Sequence, residues 1–131
     1  MLYGIGCDLC EIAHLEKSLT GAHAAAFIRR VYGEAERAAL SLDEPLPAGR
    51  SAAHRLASAA ANFAAKEAFL KAAGTGLREP FSLCEIEAVR WAVAFVLRLR
   101  LVLSVIWLPQ KFWNRFTLLC GIRENPLTAW Y

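Results

Sequence analysis

The sequence has few charged residues and only a small excess of positive charge. Lys, Arg, Asp and Glu make up 21% of its 131 residues, and the net charge at pH 7 is +3. The chain therefore lacks the dense basic stripes of dedicated nucleic-acid-binding proteins. Because 56% of its residues are hydrophobic, a disordered or solvating protein is excluded as well. The length fits one domain with its own core.

Cysteine is scarce, and the first eight residues contain no basic residue. Four scattered cysteines are too few for a secreted disulfide scaffold of this length. A secretory signal peptide begins with a basic region and a longer apolar segment, and here Asp8 interrupts the apolar segment too early. We therefore expect a reducing, cytoplasmic location.

The sequence also lacks a long hydrophobic run without charges. The apolar stretch 91–108 contains Arg98 and Arg100, each of which costs about 2.5–3.5 kcal/mol near the centre of a bilayer. We expect no membrane partner. The alternation of residues 97–105 predicts instead a strand with one buried face.

The composition changes near residue 90. Residues 1–90 hold 11 of the 12 acidic residues, and residues 91–131 hold all four tryptophans. Basic and aromatic residues alternate in 110–115, a pattern that can stack on single-stranded nucleic acid. This pattern is the only feature that supports an interpretation of the chain as a small RNA-binding protein. We expect no nucleic-acid partner and consider 91–131 an atypical tail of a single domain.

The N-terminal segment 2–9 has the alternation of a strand. One face is apolar and consists of Tyr3, Ile5, Cys7 and Leu9. The other presents Gly4, Gly6 and Asp8, and glycines inside a strand often mark the close approach of another group. Asp8 either reaches a ligand or cation across this cleared space, or it caps the next helix with Glu11, as in a capping box.

Cys7 and Cys10 form a Cys-x-x-Cys pair, which is a spacing of zinc ligands. Residues three apart on a strand point to opposite faces, so their thiolates do not converge on one ion. Cys84 and Cys120 supply no second pair. We expect no zinc site.

Residues 55–73 are rich in alanine and contain neither proline nor glycine. This composition predicts a helix that Gly74 terminates. Phe63 and Leu70 lie within about 20° of each other at 100° per residue, and they define the apolar face.

Three charged residues lie beside or near that face, although a solvent face is available to them. Lys66 and Glu67 flank Phe63 on opposite sides, and Lys71 follows Glu67 by one turn. Glu67 and Lys71 also form an i,i+4 pair that stabilises helices without any function. Functional and structural interpretations therefore both remain open for these charges.

The turn that follows the helix, Gly74-Thr75-Gly76, is flexible, and its amides could meet a phosphate. The C-terminus of a helix is the wrong dipole end for an anion. Lys66 and Lys71 would have to supply the attraction. A simple glycine cap is the alternative interpretation.

Two segments together closely resemble the signatures of bacterial holo-acyl-carrier-protein synthases, of the 4′-phosphopantetheinyl transferase superfamily. They are residues 3–12, YGIGCDLCEI, and residues 63–76, FAAKEAFLKAAGTG. The resemblance covers about residues 1–90. It implies an α+β fold in which a small antiparallel or mixed sheet packs on helices.

The resemblance implies a magnesium-dependent enzyme of fatty acid biosynthesis. Such an enzyme transfers 4′-phosphopantetheine from coenzyme A to a serine of apo acyl carrier protein, and it acts as a homotrimer. Asp8 and Glu67 match the family's Mg²⁺ ligands. Glu67, directly or through a water on the metal, is also the candidate base for the serine, and Lys71 is the candidate for stabilising phosphate charge. The matches to the coenzyme A-binding region are Lys66, Lys71, Gly74, Thr75 and Gly76.

Three departures from the family pattern bear on activity. Asn62 and His14 stand where many members have arginines, which implies weaker binding of coenzyme or carrier. The family's closing strands have no counterpart after Arg90, and we hypothesise a shifted reading frame from about residue 89. The alternative function is therefore a non-catalytic or impaired descendant that retains only coenzyme A binding.

Overall fold

The computed structural model describes residues 4–78, 81–91, 94–99 and 116–123. Within these residues, one strand is followed by four α-helices, a short 3-10 helix at Leu83–Glu85 and three strands. In chain order they are Gly4–Glu11 (β1), Ile12–Thr20 (α1), Ala24–Val31 (α2), Glu34–Leu40 (α3), Arg50–Ala73 (α4), Ile86–Trp91 (β2), Ala94–Leu99 (β3) and Phe116–Arg123 (β4). The fold is α+β, as the sequence predicts.

The described strands form two separate pairs. β1 and β4 are parallel, with Gly4 opposite Phe116. β2 and β3 are antiparallel, with Ile86 opposite Leu99. The predicted N-terminal strand is confirmed. Of the predicted strand 97–105, the first three residues lie in β3, and the rest lies outside the described residues, as does the segment 110–115.

α4 is the central element of the fold. It begins at Arg50, five residues before the predicted start, and ends at Ala73 as predicted. Gly74 closes it with a φ of 74°, in the left-handed region that favours glycine. α4 packs against β1, β4 and β2 and also against α1 and α3. Among the helices described, none is both long and apolar enough to cross a membrane.

The hydrophobic core lies mainly on the side of α4 that faces α1 and α2. Its buried members are Cys10, Leu15, Ile28, Val31, Tyr32, Leu42, Ala59, Ala60 and Ala64, and Phe63 packs against them. Leu70 is fully buried in a second cluster with Phe69, Phe81 and Ile86. The predicted apolar face of α4 is thus packed. Small alanines make this possible because they let neighbouring elements approach closely.

The apolar face of β1 is exposed, whereas its glycine face is packed. Ile5 is 58% and Leu9 43% exposed, and Cys7 between them is exposed too. Gly6 and Cys10, which share the other face, are buried. This orientation places Asp8 on the side of the strand that α4 covers.

Candidate functional site

The glycines of β1 serve the packing of α4. A Cβ atom at Gly6 would overlap the carbonyl oxygen of Ala68, and one at Gly4 would overlap that of Ala72. The helix backbone therefore fills the space that the sequence suggested for a ligand, and this part of the interpretation is wrong. The close contact has a different use, because it places the last turns of α4 directly over β1, next to Asp8.

Asp8 is not a helix cap. α1 begins at Ile12, and its N-cap residue is Glu11, whose side chain makes no capping hydrogen bond. The capping interpretation is therefore wrong, because the strand continues three residues beyond Asp8 before the helix starts.

Three charged side chains, Asp8, Glu67 and Lys71, form what we call the surface cluster. The Nζ atom of Lys71 lies 2.6 Å from Oδ1 of Asp8. Buried Oε1 of Glu67 has no hydrogen-bond partner among the residues described. The side chain of Lys71 is 51% exposed and that of Asp8 15%, so the cluster opens to solvent. The structure thus brings together the three charged residues that the sequence suggested for the chemistry.

The charges of the surface cluster act on one another. Burial raises the pKa of Glu67 above its usual value, the nearby Asp8 raises it further, and Lys71 lowers it. The hydrogen bond to Asp8 raises the pKa of Lys71. Two carboxylates near each other repel when both are ionised, and a cation relieves that repulsion.

The surface cluster suits a small divalent cation. Mg²⁺ in proteins prefers hard oxygen ligands and often binds through one or two carboxylates while it keeps several waters. The unpaired Oε1 of Glu67 is an acceptor that a cation satisfies, and the ammonium of Lys71 already lies beside Asp8. In the described ranges, no group of three or more His, Cys, Asp or Glu could hold a metal, so water and substrate oxygens would complete the coordination.

Lys66 lies apart from the surface cluster. Its side chain is fully buried, and Nζ donates to Oε2 of Glu36 and to the carbonyl oxygen of Val31, both at 2.5 Å. Burial lowers the pKa of Lys66, and Glu36 acts in the opposite direction. Because its donors are directed into the interior, we withdraw Lys66 from the coenzyme-binding residues.

Asn62 belongs to the same interior and was not predicted as a structural residue. It is 5% exposed, and its Nδ2 donates to Oε1 of Glu36 at 3.0 Å and to the carbonyl oxygen of Ala88 at 2.9 Å. Asn62 and Lys66 are one turn apart, so the sequence contains the signal that both lie on one helix face. The sequence contains no signal that Glu36, from a different helix, contacts these two residues.

The turn after α4 caps the helix with its own amides. The amide of Gly74 donates to the carbonyl of Lys71, and those of Thr75 and Gly76 donate to the carbonyl of Leu70. The expectation that these amides are free to meet a phosphate is wrong, because the last carbonyls of a helix otherwise have no partner. The turn is exposed, and a Cβ at Gly74 or Gly76 would meet nothing within 4 Å.

Cys7 and Cys10 do not form a metal site. Cys7 is exposed and Cys10 is buried, on the opposite faces expected for a strand. Burial raises the pKa of Cys10 to about 11, which disfavours the thiolate that zinc requires.

His14 lies on the exposed part of α1, with Nδ1 3.3 Å from Oε2 of Glu11.

Residues 4–118 match the family model of the 4′-phosphopantetheinyl transferase superfamily. The chain is 37% identical over 89 residues to a holo-[acyl-carrier-protein] synthase of Magnetococcus marinus, covering 68% of this chain and 59% of that protein. It is 49% identical over 72 residues to one of Myxococcus xanthus, covering 54% and 49%. The chain thus spans less than two thirds of these curated relatives.

A solved structure has a similar fold. It is a holo-(acyl-carrier-protein) synthase from Bacillus anthracis in complex with CoA (3′,5′-ADP). The TM-score is 0.59 at 31% sequence identity, and the match covers 74% of this chain and 75% of that one.

Proposed function

Because the chain belongs to the 4′-phosphopantetheinyl transferase superfamily, we propose that it transfers 4′-phosphopantetheine from coenzyme A to a serine of an apo acyl carrier protein. The observation that carries this proposal is the surface cluster, in which an unpaired, partly buried carboxylate lies beside a second carboxylate and an ammonium. Phosphoryl transfer needs such an arrangement of charges, since its catalysis consists mainly of positioning and electrostatic stabilisation.

Asp8 and Glu67 are the residues that we propose to hold Mg²⁺. When bound there, the ion supplies positive charge to the pyrophosphate oxygens of coenzyme A. Asp8 is fixed by its strand and Glu67 by the close packing of α4 on Gly4 and Gly6, so both carboxylates belong to rigid elements. Rigid support matters because Mg²⁺ demands near-ideal octahedral geometry.

Lys71 and Glu67 are the proposed catalytic residues. The serine oxygen attacks the β-phosphorus, and the bond from that phosphorus to the bridging oxygen breaks, which releases adenosine 3′,5′-bisphosphate. Glu67 accepts the serine proton, and its raised pKa makes it a stronger base than an ordinary carboxylate. Lys71 is half-exposed, so its ammonium can turn from Asp8 to the phosphate charge that develops.

Coenzyme A is proposed to lie along the exposed end of α4. Lys71 borders this region together with the turn Gly74-Thr75-Gly76, whose open side leaves room for a ligand. Because the turn's amides already cap the helix, its contribution is space and the Thr75 hydroxyl rather than a set of amide donors.

We further propose that the protein is a cytoplasmic homotrimer that serves fatty acid biosynthesis. The exposed apolar face of β1, with Ile5 and Leu9, supports self-association because apolar area of this kind is normally covered. Free Cys7, Cys10 and Cys84 fit a reducing compartment. Light scattering of the purified protein measures its subunit number, and a monomer would contradict the trimer.

Mass spectrometry of an apo acyl carrier protein tests the function. Incubation with the protein, coenzyme A and Mg²⁺ is expected to add about 340 Da to the carrier, the mass of the transferred group. Asp8→Asn and Glu67→Gln are each expected to slow the reaction about 100-fold or more while circular dichroism shows an intact fold. Glu16→Gln, on the exposed face of α1, is the matched control and retains activity.

The rival proposal is a descendant that binds coenzyme A without transferring the group. It is supported by the change of composition near residue 90, after which only one of the 12 acidic residues lies. A folded protein that binds coenzyme A but leaves the carrier mass unchanged would favour this rival. We also propose that the change of composition near residue 90 marks a shifted reading frame from about residue 89. The family match that continues to residue 118 is the observation against it, and sequencing the gene tests this.

A further inference from the structure

Glu36 lies at the centre of a buried polar group that joins α3, α4 and β2. We call Glu36, Asn62 and Lys66 the interior cluster. Glu36 is 1%, Asn62 5% and Lys66 0% exposed. Both α4 residues donate to the carboxylate, Asn62 to Oε1 at 3.0 Å and Lys66 to Oε2 at 2.5 Å.

Backbone groups complete the hydrogen bonds of this carboxylate. The amide of Ala88 donates to Oε1 at 3.0 Å, and the amide of Gly33 donates to Oε2 at 2.9 Å. The Nζ atom of Lys66 also lies 4.9 Å from the ring centre of Tyr32, whose hydroxyl donates to the carbonyl of Ala59 in α4. Among the residues described, Glu36, Asn62 and Lys66 have no buried side-chain nitrogen or oxygen without a hydrogen-bond partner. The directions of these hydrogen bonds fix the orientation of the interior face of α4.

The other side of α4 makes close backbone contact with β1. The backbone of the helix at Ala68 and Ala72 lies directly on Gly6 and Gly4, which sets the distance between helix and strand. Helix positions are normally fixed by side chains that fit into grooves of the partner, and glycines and alanines provide small ridges. Directional hydrogen bonds at the interior cluster therefore add to the constraint that the packed side chains of Phe63, Phe69 and Leu70 place on the rotation of α4.

We propose that the interior cluster is a positioning device, which holds α4 at the rotation that directs Glu67 and Lys71 towards Asp8. Lys66 and Glu67 are adjacent, 100° apart around the helix, so one is directed inward when the other faces β1. The inference rests on the proposed function because it concerns the same metal-binding residues.

A small rotation is sufficient to disrupt a metal site. A carboxylate oxygen about 6 Å from the helix axis moves about 2 Å when the helix turns by about 20°. Ligand distances in metal sites hold to about 0.2 Å. Residues that orient metal ligands without touching the metal commonly change its affinity by about 10–100-fold.

The experiment measures Mn²⁺ binding by electron paramagnetic resonance, with the metal alone as probe. The main variant is the double substitution Glu36→Gln and Lys66→Met, which keeps the side-chain volumes and removes both buried charges. It is expected to weaken Mn²⁺ binding about 10-fold. The thermal midpoint is expected to fall, because the amide of Gly33 and the carbonyl of Val31 lose their partners, while unfolding stays cooperative. Leu56→Ala, a buried substitution in the same helix about 9 Å along the axis from Asn62, is the control. It is expected to lower the thermal midpoint and change Mn²⁺ affinity less than twofold.

A folded double variant with unchanged Mn²⁺ affinity would overturn the positioning role. If the double variant does not fold, Asn62→Ala tests the positioning role. It removes the hydrogen bonds of Asn62 to Glu36 and Ala88 and leaves the Glu36–Lys66 pair. A several-fold loss of affinity in folded Asn62→Ala supports the role, and no loss overturns it. A wild-type protein that binds no Mn²⁺ contradicts the proposed function itself and the inference with it, which separates the two failures.

Discussion

The two sides of α4 each carry a lysine paired with an acid from the first 40 residues, and the two pairs differ in burial and in the hydrogen bonds around them. On the interior side, the side chains of Lys66 and Glu36 are both 0% exposed. On the side of β1, the side chain of Lys71 is 51% exposed and that of Asp8 15%. Glu36 receives four hydrogen bonds, whereas Oε1 of the neighbouring Glu67 receives none from the residues that the structure describes.

On the proposed function, available bonding capacity, more than residue type, separates the structural ion pair from the reactive one. The interior cluster has satisfied its donors and acceptors, so it offers nothing to a ligand. The surface cluster keeps an unpaired oxygen and a lysine with access to solvent. Like-charged carboxylates that destabilise the free protein are the groups that a bound cation stabilises.

Removing one partner of the interior pair should have the largest effect on stability. Lys66→Ala leaves Glu36 buried without its cation, and we expect a loss of about 3–5 kcal/mol in the free energy of unfolding. Lys71→Ala, the matched change at the exposed pair, should alter stability little and activity strongly. Urea denaturation of both variants measures the difference, and equal stability losses would contradict the contrast between the two sides.

The contact between α4 and the glycines of β1 should have the next largest effect. In Gly6→Ala the new Cβ meets the backbone of Ala68, and α4 must move away at a cost of about 2–3 kcal/mol. Gly74→Ala, at an exposed glycine with a left-handed φ of 74° and open space around it, should cost about 1 kcal/mol from backbone strain alone. Thermal denaturation distinguishes them. A smaller loss in Gly6→Ala than in Gly74→Ala would argue against the close approach.

Metal affinity at the surface cluster should depend on pH. Protonation of Glu67 removes a ligand, and its pKa is raised, so Mn²⁺ binding should weaken at a pH above that expected for an ordinary glutamate. Below that pKa the affinity should fall about tenfold per pH unit, equivalent to about 1.4 kcal/mol. Measuring the Mn²⁺ affinity of the wild type across pH tests this. An affinity that stays unchanged as the pH falls to the usual pKa range of glutamate would refute it.

The smallest effect should be a gain in stability when the unpaired carboxylate is neutralised. Because the pKa of Glu67 is higher in the folded than in the unfolded state, the folded state binds the proton more tightly. Stability therefore falls as pH rises from the unfolded to the folded pKa, and the ionised group lowers stability at neutral pH. Glu67→Gln should add about 0.5–1 kcal/mol at pH 7, a small gain because solvent screens the partly exposed group.

The pH dependence of that gain is its control. The difference in unfolding free energy between Glu67→Gln and wild type should disappear below the unfolded pKa of glutamate. Glu16→Gln, on an exposed surface, should stay within about 0.5 kcal/mol of wild type at all pH values. A loss of stability in Glu67→Gln at neutral pH would contradict the electrostatic strain in the surface cluster.

The sequence predicted secondary-structure elements more accurately than it predicted tertiary contacts. The alanine-rich pattern predicted α4 and its end at Gly74, since propensity and capping are local properties. The glycine alternation correctly marked a close approach to β1, but it could not distinguish a ligand from a helix backbone. Lys66 shows the same limit: helical spacing placed it beside the apolar face, and only the arrival of Glu36 from α3 decided that its charge is buried.

What the sequence by itself determined is the set of local features: the glycine face of β1, the presence and termination of α4, and the positions of Asp8, Glu67 and Lys71 on these two elements. Period and propensity fix these features because they depend on neighbours within a few residues. The tertiary structure decided which lysine of α4 is buried and which acid stays unpaired. Both depend on partners 30 to 63 residues away in the chain, and such pairings form only when packing brings distant elements together.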